Sequence, residues 1–171
     1  MGDKTNPSTA EILVRQMRMI SSWMPEKVKD FSKEELLYRA GGERAHIIWL
    51  LGHVIVGSDI IQYISDGKLQ APKKYRGLFD VGSAPTDKME DYPPITDIFD
   101  VYKSLIEKVN ESIQTLNDEE LFSPLTGNPS EGLANYFKTR LDLITGTIGH
   151  LSYHIGQIYF IMRMLGKEGV G

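Results

Sequence analysis

Apolar residues recur at helical spacing along nearly the whole chain, and that periodicity limits the fold more than any other feature. Between Pro94 and about Leu116, residues Ile98, Phe99, Tyr102, Leu105, Ile106, Val109 and Ile113 fall on one face, the i, i+3, i+4, i+7 pattern of an amphipathic helix. From Glu43 to about Ser65 the positions Ile47, Leu50, Leu51, Val54 and Ile61 repeat it, and Asp66-Gly67 ends the segment. The valines and isoleucines there also suit a strand, but length and spacing favour helix. Ser8-Thr9-Ala10-Glu11 reads as a capping box opening a segment to about Met24, where Pro25 stops it. A second box, Ser32-Lys33-Glu34-Glu35 with Phe31 just before the cap, opens a short helix that Gly41-Gly42 closes. Asn117-Asp118-Glu119-Glu120 caps a short turn ending near Pro124, and 126–132 is a loop. The last long helix begins near Asn135 and continues to about Leu165, before Gly166.

The least regular stretch is 66–94, with Pro72, Pro85, Pro93, Pro94 and several glycines. So long a connection is uncommon in a compact domain and is often functional or a crossover. Four long helices, no convincing strand and one long connection between helices 2 and 3 predict an all-α four-helix bundle with crossover topology, one domain over 1–171.

Composition narrows the function classes. At 171 residues with 41% hydrophobic and 25% charged residues, the chain has the make-up of a soluble domain with a real core. Net charge is −4 and the basic residues are scattered, so the basic stripe that nucleic acid requires is missing. No apolar run is long enough to span a bilayer. The polar start, Met1 to Ser8, argues against a signal peptide, and a cytoplasmic location is the default expectation. With no cysteine, disulfides, thiolate zinc sites and a cysteine nucleophile are excluded, and any metal must be bound through nitrogen and oxygen.

Histidine is the residue type with most to say about chemistry. His150 and His154 are four apart, about 400° of helical rotation, so they share one face a turn apart. His53 lies in an earlier helical segment. Two imidazoles on one helix and a third on a facing helix can hold a metal and leave a coordination position open. A lone histidine in a bundle is usually a core or surface residue; the i, i+4 pair is what raises the reading above that. Gly146, Gly149 and Gly156 interrupt the same helix at about 1 kcal/mol each relative to alanine. They either leave room for a neighbouring helix or a ligand, or only relieve crowding.

Around the pair, Gln157 lies on the same stripe and can hydrogen-bond a substrate or point to solvent. Thr147 and Tyr153 are candidate partners for the other ring nitrogens of ligating histidines, although tyrosines near an apolar stripe are more often core. His46 precedes His53 by seven residues, about 10 Å along a regular helix, too far to share its ion. It reads as a pocket-lining or helix-start residue. Gln157, Tyr153 and His46 are the candidates to orient substrate or move protons.

Sharper patterns fail. A zinc protease needs Glu after the first histidine of the pair, where Leu151 stands. A di-iron bundle needs two Glu-x-x-His pairs, and only Glu43-Arg44-Ala45-His46 fits. Haem held by His53 and one partner has no attachment motif, and no phosphate-binding glycine loop or nucleophile elbow is present.

The combination of Trp49-Leu50-Leu51-Gly52-His53 with His150-x-x-x-His154-x-Gly156-Gln157 resembles the DinB-like metalloprotein superfamily, in helix order and length over nearly the whole chain. The resemblance implies a four-helix bundle with crossover topology, usually a homodimer. It also implies a divalent metal held by His53, His150 and His154; all-nitrogen ligation suits zinc, nickel, iron or copper, with the first three leading. Some members are thiol S-transferases using a low-molecular-weight thiol; others are assigned as hydrolases or isomerases. The expectation is therefore a metal-dependent enzyme of thiol S-transferase or hydrolase type acting on a small molecule. The alternative is a non-catalytic helical binding or regulatory module whose metal site is structural or vestigial.

Overall fold

A computed structural model describes residues 6–42, 45–64, 70–126 and 129–168. The fold is all-helical: α1 Thr9–Ser21, α2 Lys33–Leu36, α3 Ile47–Ser58, α4 Lys73–Phe79, α5 Ile95–Gln114, α6 Asp118–Phe122, α7 Glu131–Tyr136 and α8 Arg140–Met164. Among the described residues there is no strand, only an isolated bridge between Pro124 and Thr139. Among the described residues no helix is long and apolar enough to cross a membrane.

The long helices form where capping and periodicity agree. Ser8 and Glu11 satisfy each other's backbone groups in the expected box, and α1 buries Ala10, Leu13, Val14, Met17 and Ile20 on one stripe. It ends at Ser21 rather than Met24, because a residue preceding proline is pushed out of helical conformation and the last turn unwinds ahead of Pro25. Two tyrosines fasten that end: Tyr102 of α5 donates to the Ser21 carbonyl (3.2 Å) and Tyr159 of α8 to that of Trp23 (2.8 Å). Thus α1 packs on both α5 and α8.

Helix α3 is buried on almost every side, from Ile47 through Val56 and at Ser58, as befits a helix that is apolar all round. It packs against α8, α5 and α4. Its first residue is Ile47, not Glu43; Glu43 and Arg44 lie outside the described residues. At its far end the helix tightens at Asp59 into a 3₁₀ turn through Ile64, and the Ser65–Asp66–Gly67 stop lies outside the described residues. The second capping box forms as read, Ser32 with Glu35, but α2 is a single turn. Gly41 and Gly42, at φ +82° and +87°, turn the chain several residues later instead of closing it.

Two expectations for the irregular segments are corrected. The 66–94 stretch contains a helix, α4, anchored by Tyr75 and Phe79, 1% and 0% exposed; burial of each such side chain is worth about 1.5–3 kcal/mol. A 3₁₀ turn follows at Met89–Asp91. The other correction concerns the last helix, which starts at Arg140 and not near Asn135. Thr139 is an extended N-cap in a box with Asp142, and Phe137 before it is also extended. Residues 131–136, read as loop and helix start, form the separate short helix α7.

Candidate metal centre

Packing of α3 on α8 brings the three histidines together. His150 Nε2 lies 3.2 Å from His53 Nε2 and 3.1 Å from His154 Nε2. Among the described residues this is the one cluster of three metal-capable side chains with ligand atoms within 4.8 Å of one another.

Which nitrogens carry protons follows from their other partners. His53 Nδ1 sits 2.7 Å from the Phe79 carbonyl, which can only accept, so Nδ1 holds the hydrogen and Nε2 presents a lone pair. His154 Nδ1 lies 2.6 Å from Gln157 Oε1, again an acceptor, and its Nε2 is likewise bare. Two lone pairs therefore converge on His150 Nε2. Nitrogens held about 2.0–2.1 Å from a tetrahedral zinc are about 3.3 Å apart, close to the observed spacings. The donor set fits a divalent ion.

The fold sets each ring by different means. His53 is held by the Phe79 carbonyl at the end of α4 and by Trp49, whose ring stacks on it at 4.6 Å with planes 13° apart. The Trp49 indole donates to Ser83 Oγ (3.1 Å), and Ser83 donates to the Leu78 carbonyl (3.0 Å). Both restraints come from the proline-rich connection. Phe79 reaches His53 because residue 52 is glycine: a Cβ there would fall 2.3 Å from its ring. His150 Nδ1 is buried without a partner, so no hydrogen bond from outside the cluster orients that ring. Packing does, since a Cβ on Gly57 of α3 would come within 2.5 Å of His150 Cε1.

Burial favours the neutral forms of His150 and His154. It pushes the His150 pKa down to about 4, with His154 and His53 adding to the effect. It lowers His154 as well; the bond to Gln157 opposes that and His53 reinforces it. Neutral imidazole is the form that ligates. His53 and His150 also line a cavity of about 380 Å³ between α3, α4, α7 and α8, so the cluster has an approach from one side.

The other candidates fall into distinct roles. His46 is the N-cap of α3: its Nδ1 accepts from the Trp49 amide (3.3 Å) and its Nε2 donates to the Thr86 carbonyl (2.9 Å). It is fully buried and both nitrogens are hydrogen-bonded, which is the helix-start role. Gln157 accepts a hydrogen bond from His154 Nδ1 through its Oε1, and with Tyr153 it lines a second cavity of about 310 Å³. Tyr153 accepts from Gln157 Nε2 (3.2 Å) and edges against the His154 ring at 5.0 Å. At 64% exposure it is not core. Thr147 is no partner for an imidazole; its hydroxyl donates back to the Leu143 carbonyl (2.8 Å). Of the α8 glycines, Gly146 makes room for the Phe137 ring, while nothing lies within 4 Å of a Cβ on Gly149 or Gly156.

Phe79, Ser83 and Gly57 are site residues that the sequence patterns do not single out, and Gly52 enters there only as part of the His53 motif. Gly52 and Gly57 carried a signal, since they flank His53 as the three noted glycines flank the α8 pair. The Phe79 and Ser83 contacts had none, because they depend on where a proline-rich connection lands. Among known families, the sequence model of the DinB superfamily matches residues 22–158. No curated protein matches the chain.

Proposed function

This chain belongs to the DinB superfamily, and from that premise and its three-imidazole centre we propose that it is a metal-dependent enzyme of thiol S-transferase or hydrolase type. The observation that carries the proposal is the convergence of two bare imidazole nitrogens on a third at 3.1–3.2 Å, beside a cavity that two of the rings line. His53, His150 and His154 would hold a divalent ion, with zinc, nickel or iron suited to nitrogen donors. Such an ion supplies Lewis acidity, making a thiol or water acidic enough to act as nucleophile near neutral pH.

The remaining residues position and protect. The Phe79 carbonyl and Gln157 fix the His53 and His154 tautomers, which keeps their Nε2 lone pairs directed at one point. Trp49 covers the His53 face. A low-molecular-weight thiol is the cosubstrate of the transferase form. The packing of α1, α3, α5 and α8 supports reading the fold as a four-helix bundle whose α3–α5 connection crosses over, in one domain. Homodimerisation and a cytoplasmic location belong to the same proposal, the former checked by sedimentation.

A non-catalytic module with a structural or vestigial site is the competing reading; rings that pointed apart, with no adjoining cavity, would have favoured it. Calorimetry on purified, untagged protein should find one divalent ion per chain, with binding sharply weakened by His150→Ala. Unchanged affinity in that variant refutes the site. Consumption of thiol in the presence of a reactive electrophile then separates transferase from hydrolase.

A further inference from the structure

The geometry points to an uncharged, apolar substrate body of about bicyclic aromatic size, bound in the cavity beside His53 and His150. This rests on the proposed metal centre and adds the substrate class. Apolar side chains make up most of the wall: Val56 and Ile60 from the α3 side, Val81 after α4, Phe137 and Leu143 from the α8 side. The cavity's polar side chains are largely engaged elsewhere. Thr147 donates to the backbone of its own helix. Arg76, the cation of this wall, lies 3.5 Å from Asp59 and 3.6 Å from Asp80, so one guanidinium faces two carboxylates. Away from the metal centre, an anionic substrate body would meet only a guanidinium already facing two carboxylates, and burying it would be costly.

Volume sets the size. A cavity of about 150 Å³ accommodates benzene; about 380 Å³ leaves space for two fused rings or an aliphatic body of similar bulk. Two glycines shape the space. Gly146 lets the Phe137 ring lie directly on α8, where a Cβ would fall 2.3 Å from it, and Gly57 leaves His150 its place in the wall. Tyr136, 84% exposed, stands at the solvent side of this wall and offers an aromatic face to an entering ring.

Fluorescence titration of the full chain tests this with prodan, an uncharged naphthalene fluorophore. Saturable one-to-one binding with blue-shifted emission is expected. It should weaken at least tenfold in Ile60→Lys, which places a charge in the wall. Tyr136→Ala should also weaken it, and this exposed position is safe for folding. Anilinonaphthalene sulfonate, the anionic counterpart, should bind at least tenfold more weakly than prodan to metal-free protein, where no ion holds the sulfonate. Absence of saturable prodan binding, binding indifferent to both substitutions, or a sulfonate that binds equally well overturns the inference. Calorimetry with zinc on the same samples keeps the two proposals apart. Normal metal affinity with no probe binding defeats only the substrate class, whereas unchanged metal affinity in His150→Ala defeats the centre itself.

Discussion

Gly57→Ala tests the centre without touching a histidine. A Cβ at this position would lie 2.5 Å from His150 Cε1 and 2.9 Å from Nδ1. To restore the 3.4 Å of ordinary contact, the ring must retreat by the difference, about 0.9 Å. Metal–ligand distances tolerate only about 0.2 Å, so the retreat removes His150 from the ligand set. The loss should be at the upper end of the 10–100-fold seen when support of a ligand is removed, about 100-fold or 2.8 kcal/mol. Stability should move far less. Alanine gains up to about 1 kcal/mol over glycine in a helix, and His150 Nδ1 has no hydrogen bond to lose. Unfolding should stay within about 1 kcal/mol of wild type, or 2–4 °C in Tm. Zinc affinity by chelator competition and Tm by circular dichroism give the two readouts. Gly149→Ala is the control: it meets nothing within 4 Å and should leave affinity unchanged. Wild-type affinity in Gly57→Ala refutes packing control of His150. A collapse in Tm instead marks Gly57 as a requirement of the fold.

Three other outcomes are expected. Gln157→Leu removes the acceptor for His154 Nδ1 and should cost about 10–100-fold in metal affinity with little change in Tm, while Gln157→Glu, which keeps an acceptor, should restore most of it. Gly52→Ala drives a Cβ into the buried Phe79 ring and should destabilise by about 1–3 kcal/mol, read by urea denaturation; an unchanged midpoint would show that α4 shifts freely. At the start of α8, the Thr139 amide and hydroxyl hold the Asp142 carboxyl below its usual 3.8. A lowered carboxylate stabilises the fold above its unfolded pKa, and the contribution fades as pH falls through the folded value. Asp142→Asn should therefore flatten the acid limb of Tm against pH, and an identical limb in both proteins would contradict the assignment.

The segments that could be read from sequence are those whose signals are local. The capping boxes at Ser8, Ser32 and Asn117 all form, because a side chain and the backbone three residues on decide them. The α5 stripe from Ile98 to Ile113 is buried as its spacing requires. His150 and His154 share a face because helical rotation dictates it. The start of α8 is decided by an equally local signal, the Thr139–Asp142 box, which sets the helix after Asn135.

What the tertiary structure decided is how distant pieces meet. Sequence could offer His53 as a third imidazole, but only the packing of α3 on α8 sets its Nε2 3.2 Å from His150. Nothing local announces that the Phe79 carbonyl will accept a hydrogen bond from His53 Nδ1, or that Gly57 will be the surface against which His150 rests. Helical periodicity fixes which face a residue occupies. The proton positions, the pKa values and the cavity depend on contacts between residues far apart in the chain, and these exist only once the helices have packed.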